Sequence, residues 1–349
     1  MGISTIGAQS SVGAIDVGYG SCKGAFLDTR SGRGREIVLP AGAAVASAMP
    51  KLDGSRFDLK GGELVLVNGT PWVAGVDQSF IQGKARQTHA KYTETDEYYA
   101  LALAMLARFG SEHIGLLVTG LPVNQYYGPG AEALRTNLQK RLTGRHHVSD
   151  QFSCDVAKVA VVPQPLGTFM GLASQPEYSQ LATRDDLRTL VIDVGFGTTD
   201  SCLLSGKSVL DNSSSSTMLA TSTVLKATAK RLSTKLDRGV TVDELDALLR
   251  RGSTKLPLGL SDSHDFREDV LEEASLIGKD VMATIMSDVR LAGDITVVIL
   301  TGGGAWLFDE AAQKAFPKAE VIRPEDPVLS NALGYREIAR LMTSRARAA

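Results

Sequence analysis

The sequence predicts an α/β protein with mixed β-sheets, built from two halves that each open on a β-hairpin. Hydrophobic strand-like runs alternate with helix-like segments along the 349 residues. The stretch AIDVGYGSCK at 14–23 recurs with nearly the same layout as VIDVGFGTTD at 191–200. The polar residues 176–188 lie just before the second copy and predict the connection between the halves. A chain of this length commonly forms two domains.

Composition and charge indicate a globular protein that is not expected to bind nucleic acid or a membrane directly. Hydrophobic residues make up 43% of the chain and charged residues 22%, which are ordinary values for a globular protein with a sizeable core. The formal net charge of −2 argues against direct binding to nucleic acid or to an anionic membrane. The three cysteines are scattered without a CxxC pair, so we expect free thiols in a reducing cytoplasm. The longest apolar run, 100–106, is too short to span a bilayer.

The N-terminal half begins with strands and continues with alternating helices and strands. Residues 12–18 alternate as a buried strand that leads into a glycine-rich turn and a returning strand. Residues 63–75 predict a hairpin around Asn68 and Gly69, because this pair favours the conformations of a two-residue turn. Residues 93–110 predict a helix that opens on acidic residues and stops at a glycine. Further predicted elements are a strand at 113–123, a helix at 130–144, a strand at 156–165 and a helix start at 166–174.

The C-terminal half repeats this alternation. It begins with a strand at 189–194, and a serine-rich run at 212–217 predicts a loop that leads to a helix cap. The remaining predicted elements are helices at 217–236 and 266–290, a strand with a glycine turn and a helix start at 294–308, and a closing helix at 330–349. We therefore expect mixed sheets in both halves, because hairpin strands open each half and helices connect the later strands.

The repeated stretch indicates an anion-binding site. A strand that ends in Asp and turns through Gly places a carboxylate at the sheet edge where open α/β sheets bind ligands. Glycines let backbone N–H groups approach an anion closely, and Lys23 adds a point charge suited to phosphate. The predicted donors are Gly18, Gly20 and Ser21 in the first copy, and Gly195, Gly197, Thr198 and Thr199 in the second. Each copy is therefore a candidate phosphate-binding turn.

Two such hairpins that face each other would hold a phosphate chain from both sides. Asp16 and Asp193 end the two strands and would point at the Mg²⁺ that balances the phosphate charge. We expect them to hold the ion through water, because Mg²⁺ usually keeps several waters. An ordinary strand-ending turn is the alternative for either copy alone, since D-x-G is a common pattern. Two copies that open two halves favour the paired site.

A third glycine-rich stretch supports the same site. ILTGGGAWLF at 299–308 places Gly302, Gly303 and Gly304 between a buried strand and a helix start. This arrangement brings backbone against a ligand at a helix N-terminus. A helix-entry turn that needs small residues is the alternative explanation.

These stretches together resemble the actin-like ATPases, and among them the ParM/StbA branch that segregates plasmid DNA. The blocks AIDVGYGSCK, VVPQPLG, VIDVGFGTTD and LTGGGAWLF occur in the order of that family, over about 13–342. The resemblance implies two actin/ribonuclease-H-like domains with mixed five-stranded sheets around a nucleotide cleft. The first domain would take 13–178 plus 330–349, with a smaller lobe at about 30–92. The second domain would take 187–329.

The resemblance also implies roles for single residues. Asp16, Gly18 and Lys23 fall on a first phosphate loop, and the stretch from Asp193 to Thr199 falls on a second. The three glycines at 302–304 fall on the adenosine motif, and the helix from about 217 should also touch the nucleotide. Gln164 falls on the residue that faces the terminal phosphate, which makes it a catalytic candidate beside the two aspartates. An amide cannot take a proton, but it can orient an attacking water.

The function implied is an ATPase, with ATP or GTP and Mg²⁺ as cofactors, that polymerises into filaments in the cytoplasm. Such a polymer would move plasmid DNA through a DNA-bound adaptor protein, because the near-neutral chain has no basic surface for DNA and no membrane segment. One alternative is a small-molecule kinase of the same superfamily, which would need a base near the acceptor hydroxyl. A nucleotide-gated cytoskeletal scaffold without enzymatic activity is the other.

Overall fold

The computed structural model describes residues 11–49, 61–81, 91–289 and 294–348. Two five-stranded mixed sheets with flanking helices form its centre, which confirms the predicted α/β class. Residues 50–60 and 82–90, which belong to the predicted smaller lobe, lie outside the described residues.

The elements alternate between strands and helices in both halves. The strands, in chain order, are β1 (Val12–Val17), β2 (Ser21–Leu27), β3 (Gly34–Pro40), β4 (Gly42–Val45), β5 (Glu63–Val67), β6 (Thr70–Val76), β7 (His113–Ile114), β8 (Leu116–Leu121), β9 (Gly144–Ser149), β10 (Phe152–Val156), β11 (Val159–Pro163), β12 (Arg188–Val194), β13 (Thr199–Ser205), β14 (Ser208–Thr217), β15 (Lys255–Pro257), β16 (Ser263–Asp265), β17 (Val297–Thr301) and β18 (Glu320–Ile322). The α-helices are α1 (Asp96–Phe109), α2 (Val123–Tyr127), α3 (Ala131–Leu142), α4 (Gln164–Ala173), α5 (Thr221–Lys235), α6 (Val242–Arg250), α7 (Arg267–Asp288), α8 (Asp309–Ala315) and α9 (Ser330–Ala348).

The first sheet carries the first copy of the repeated stretch at its centre. Its strand order is β11-β8-β1-β2-β3, with β1 antiparallel to β2 and parallel to β8. All of β1 is buried, as expected for a central strand with both faces covered. This strand carries Asp16 to its carboxyl end, opposite Lys23 on β2.

The second sheet repeats the plan of the first. Its order is β14-β13-β12-β17-β18, with β12 antiparallel to β13 and parallel to β17. Asp193 lies at the carboxyl end of β12, opposite Asp200 on β13. The two copies of the repeated stretch therefore form the same hairpin at the same place in each sheet.

Local sequence signals account for the elements that the structure shows as predicted. Asn68 and Gly69 both have positive φ, at 50° and 79°, and turn β5 into β6 as the Asn-Gly pair indicated. Helix α1 begins at the Thr95 cap, whose side chain accepts from the Tyr98 N–H, and ends at Gly110 with φ of 61°. The sequence analysis assigned no element to 242–265, where the structure has helix α6 and the hairpin of β15 and β16.

The serine-rich run at 212–217 is a strand, so the predicted loop is wrong. These residues end β14, which pairs antiparallel with β13 at the edge of the second sheet. An edge strand forms backbone hydrogen bonds with a neighbour on one side, while its other side is free of a neighbouring strand. Small polar residues are therefore accepted at an edge more readily than in a central strand. Ser215 also donates a side-chain hydrogen bond to Asp288 at the end of α7.

Helix α9 crosses helix α4 at very short range. A Cβ atom on Gly334 would lie 1.6 Å from the carbonyl oxygen of Gly167, and one on Gly167 would lie 2.5 Å from the Tyr335 ring. The two backbones therefore touch where only glycine fits. Helix α9 also packs on β1 and β8, so the last segment of the chain is part of the core of the first sheet.

The cysteines agree with the expectation of free thiols. Cys22, Cys154 and Cys202 are all buried, and none of the three forms a disulfide bond. Burial raises the pKa of the Cys154 thiol to about 12, which keeps it protonated and unreactive. Among the described residues, no helix is both long and apolar enough to cross a membrane.

Candidate functional site

One cavity of about 520 Å³ is lined by strand ends and turns from both halves. Asp16 and Asp193, which are far apart in the sequence, both line it. So do the predicted residues Gly18, Gly20, Ser21, Lys23, Gln164, Gly195, Gly197, Thr198, Gly302, Gly303 and Gly304. The structure thus brings the three glycine-rich stretches to one place, although their roles toward a ligand stay predictions.

Thr199 differs from the other predicted donors, because it is not among the described residues that line the cavity. It is buried, and its hydroxyl donates to the Leu219 carbonyl at 2.8 Å. Side chains alternate between the two faces of extended chain, so Asp200 and Thr198, the residue just before β13, face the cavity while Thr199 faces away. The Thr199 hydroxyl therefore makes a structural bond within the second half, and its contact with a ligand stays a prediction.

The two phosphate-type turns have the same backbone geometry. The N–H of Gly18 donates to the Ser21 carbonyl at 3.0 Å, and the N–H of Gly195 donates to the Thr198 carbonyl at 2.9 Å. Each turn follows an aspartate by two residues, which aims the following backbone at the cavity. The two copies of the repeated stretch therefore form turns of the same backbone conformation.

The two turns also pack against each other through aromatic rings. Tyr19 and Phe196 occupy the same place in the two copies. A Cβ on Gly197 would lie 2.5 Å from the Tyr19 ring, and a Cβ on Gly20 would lie 2.9 Å from Phe196 Cβ. The glycines thus make room for the aromatic residue of the opposite turn, a role that the sequence analysis did not assign.

Asp16 is the centre of a buried polar cluster in the first half. It is 2% exposed, and its two oxygens accept from Lys23 Nζ at 3.1 Å and from Gln164 Nε2 at 3.0 Å. Burial lowers the pKa of Lys23, but the carboxylates of Asp16 and Asp193 outweigh burial, so its pKa is raised. Lys23 therefore stays charged in the cavity.

The positive charge near Asp193 does not compensate for its burial and for the neighbouring Asp16 carboxylate. Burial and then the nearby Asp16 carboxylate raise the pKa of Asp193 to about 7, against the smaller opposing effects of Lys23 and Asn331. Asn331 Nδ2 donates to its Oδ2 at 2.7 Å from the start of α9. A cation between Asp16 and Asp193 would relieve this repulsion.

Asp200 is a cavity residue that the sequence analysis left without a role. Its oxygens accept from the Val123 N–H at 3.2 Å and from Thr198 Oγ1 at 2.8 Å. Burial raises its pKa. The signal was present, because Asp200 follows Thr198 by two residues where the chain enters β13, and side chains two apart in extended chain share a face. The Val123 bond also ties the second hairpin to the first half.

The glycine turn after β17 packs directly on the second hairpin. A Cβ on Gly302 would lie 2.4 Å from Asp193 Oδ1, and one on Gly304 would lie 2.1 Å from Thr221 Oγ1. Gly302 has φ of 89°, which other residues rarely adopt, whereas Gly303 faces open space. Thr221 begins α5 and lines the cavity, and its hydroxyl has no hydrogen-bond partner among the described residues.

The outer wall of the cavity is aromatic and charged. Trp306, which follows the glycine turn, lines it and is 39% exposed. Asp77, Arg250 and Arg251 line it from opposite halves. Glu272 and Glu273 on α7 are not among the described lining residues, and both pair with Arg231 on α5.

The residues present fit a polyphosphate with a divalent cation. The two turns offer backbone N–H groups and Lys23 offers a fixed positive charge, while Asp16 and Asp193 offer two carboxylates that repel each other. Within the described part of the chain, no group of three or more His, Cys, Asp or Glu could hold a metal ion. A Mg²⁺ ion that keeps its waters and bonds to phosphate needs few protein ligands, so the pair is sufficient.

Comparison with known proteins gives two matches to family models. Residues 14–167 match the N-terminal domain of actin-like proteins, and residues 191–314 match the C-terminal domain of the archaeal MreB-like actin homologues. No curated protein sequence matches the chain significantly.

Solved structures with the same fold cover nearly the whole chain. The archaeal actin homologue Ta0583 in complex with ADP is 20% identical with a TM-score of 0.71, and the match covers 95% of this chain and 99% of that one. The ParM of a 15-stranded filament from Clostridium botulinum is 17% identical, with a TM-score of 0.70 and the same coverage. The apo ParM protein of pSK41 is 19% identical, with a TM-score of 0.65 over 97% and 99% of the two chains. With both halves matched in order, the chain belongs to the actin-like superfamily and has the fold of its ParM and archaeal members.

Proposed function

We propose that this protein is a cytoplasmic ATPase that binds ATP with Mg²⁺ in the cavity and polymerises into filaments. The observation that carries the proposal is that two turns with the same backbone bond, a glycine turn and two carboxylates all line one cavity. The ADP complex of the archaeal homologue supports nucleotide as the ligand, and the filament of the botulinum ParM supports self-assembly.

The binding roles follow from the positions of the donors. Backbone N–H groups of the two turns, other than those of Gly18 and Gly195, which donate within the turns, would hold the phosphates. Lys23 would neutralise part of the phosphate charge. Asp16 and Asp193 would hold a hydrated Mg²⁺, which supplies charge neutralisation when bound. The glycine turn at 302–304 and Trp306 would border the nucleoside.

Gln164 would orient the water that attacks the terminal phosphate. Its Nε2 donates to Asp16, which fixes the amide and leaves Oε1 to accept from a water. An amide does not take the proton, so we expect slow hydrolysis. Asp200 is a second carboxyl group in the cavity, and it is held by backbone and hydroxyl donors rather than by a cation.

The polymer would segregate plasmid DNA through an adaptor. The near-neutral chain argues against direct DNA contact, so a DNA-bound adaptor protein would connect filament and plasmid.

Phosphate release and light scattering test the proposal together. With ATP and Mg²⁺ the protein should scatter light above a critical concentration and release phosphate. Gln164→Ala should bind ATP almost normally and release phosphate about 100-fold more slowly, because the water loses its position. The matched control Gln180→Ala removes an exposed glutamine outside the cavity and should behave as wild type.

Two outcomes would contradict the proposal. If the protein stays monomeric with ATP at high concentration, the proposed polymerisation into filaments is wrong. ATP consumption that depends on an added sugar would favour the kinase instead.

A further inference from the structure

A short hairpin carries two leucines into solvent. The loop between β15 and β16 is closed by the Leu258 N–H, which donates to the Asp262 carbonyl at 2.9 Å. Leu260 is fully exposed at 109%, and Leu258 is 40% exposed. At the base of the hairpin, Leu256 and Phe266 are fully buried. The hairpin is thus anchored, and we call Leu258 and Leu260 the leucine knob.

An apolar groove lies between helices α7 and α8. It has a volume of about 560 Å³. Its floor and walls are apolar, and its rim carries Lys279, Glu310 and Lys314. The apolar lining residues are Met282, Ala283, Met286, Ala311 and Ala315. Met286 is 43% exposed, so part of the apolar groove surface contacts solvent. An apolar side chain bound there would remove this surface from water.

The knob and the groove do not meet within one molecule. Leu260 is fully exposed, and the described residues that line the groove include none from the hairpin. Both features flank the same rigid helix. The hairpin ends just before Arg267, the first residue of α7, whereas the first groove residue, Ser275, lies about 12 Å along the helix axis.

We propose that the leucine knob of one copy inserts into the α7–α8 groove of the next copy. Distinct patches that pair between copies make a heterologous contact, which propagates as an open polymer when the rotation does not close. Asp262 stands beside the knob and would face Lys279 on the rim, which gives the contact a matching charge, whereas Lys314 is already paired with Glu310. The inference rests on the proposed assembly into filaments and names its contact.

Substitution of the knob tests the contact. Leu260→Asp places a charge in the apolar groove and should raise the critical concentration for assembly at least about tenfold. Leu260→Met keeps the apolar volume and should assemble at nearly the wild-type concentration. Both variants should bind ATP like wild type, because Leu260 is not among the described cavity residues. Normal assembly of Leu260→Asp would overturn the inference.

Crosslinking tests the polarity of the contact. A chain with Leu260→Cys and Ala283→Cys, treated with a short bismaleimide under assembly conditions, should give a ladder of oligomers. A mixture of the two single variants should stop at dimers, and each variant alone should give monomers. The three native thiols are buried, so background reaction is low.

The outcomes separate this inference from the proposed function. If wild type does not assemble, the proposed function fails. If wild type assembles but Leu260→Cys alone forms dimers, or the double variant crosslinks only within the monomer, the knob-and-groove contact fails.

Discussion

Single residues in the cavity suit a charged ligand, but their mutual repulsion lowers the stability of the nucleotide-free protein. Asp193 is buried close to Asp16, and this raises its pKa to about 7 from an ordinary value of 3.8. Between these two values the folded state binds more protons than the unfolded state, so stability falls as the pH rises from about 4 to 7. Function and stability therefore oppose each other at this residue.

Asp193→Asn should stabilise the nucleotide-free protein at pH 8 by about 2 kcal/mol, because the amide carries no charge to repel Asp16. The asparagine keeps an oxygen to accept from Asn331. The gain should nearly vanish near pH 4, where the folded wild-type carboxyl is protonated and the unfolded one is about half protonated. Urea unfolding in EDTA at the two pH values measures it, and equal stability at pH 8 would contradict the charge argument.

At the scale of elements, helix pairing depends on one glycine contact. Helices α4 and α9 cross with Gly334 against the Gly167 carbonyl. This crossing lies beside the bonds from Thr168 on α4 to Ser330 and Asn331 on α9, each 2.8 Å long. Since Asn331 also bonds Asp193, the crossing sets the position of a cavity residue.

Gly334→Ala should destabilise the protein by more than about 2 kcal/mol, because the added methyl group would force the two helices apart. Gly239→Ala is the matched control, since a Cβ there meets nothing within 4 Å. Thermal unfolding of both variants decides the case. A Gly334 variant as stable as the control would show that the crossing is not tightly packed.

At the scale of the whole molecule, an ion pair between residues that line the cavity joins the two halves. Asp77, after β6, accepts from Arg250 Nη2 at 2.5 Å and from Arg251 Nη2 at 3.2 Å at the end of α6. Asp77 and Arg250 are largely buried, so water screens their attraction less than that of a surface pair. The pair joins the two halves in front of the proposed nucleotide.

Asp77→Asn should speed the release of a fluorescent ATP analogue about fivefold, because the halves lose a bond that holds them closed. Small-angle scattering should show a larger radius of gyration for this variant.

Glu244→Gln is the control, because it breaks the pair of Glu244 with Arg238, which lies outside the cavity lining. Release at the wild-type rate from Asp77→Asn would mean that the ion pair does not hold the cavity closed.

The sequence by itself determined the class of fold and the three glycine-rich stretches that line the cavity. The repeated stretch identified Asp16 and Asp193, because a strand-ending aspartate followed by glycine is a local pattern. The hairpin at Asn68 and Gly69 and the ends of α1 were equally local, since turn and cap residues act within a few positions.

Only the tertiary structure decided what depends on distant partners. Ser215 lies in a strand because its backbone pairs with β13. Thr199 faces away from the cavity because its pairing with Val194 fixes which face of the sheet its side chain lies on. The ion pair of Asp77, the role of Asp200 and the separation of the leucine knob from its groove depend on contacts between residues far apart in the sequence. No local pattern encodes such contacts, because they form only when the whole chain has packed.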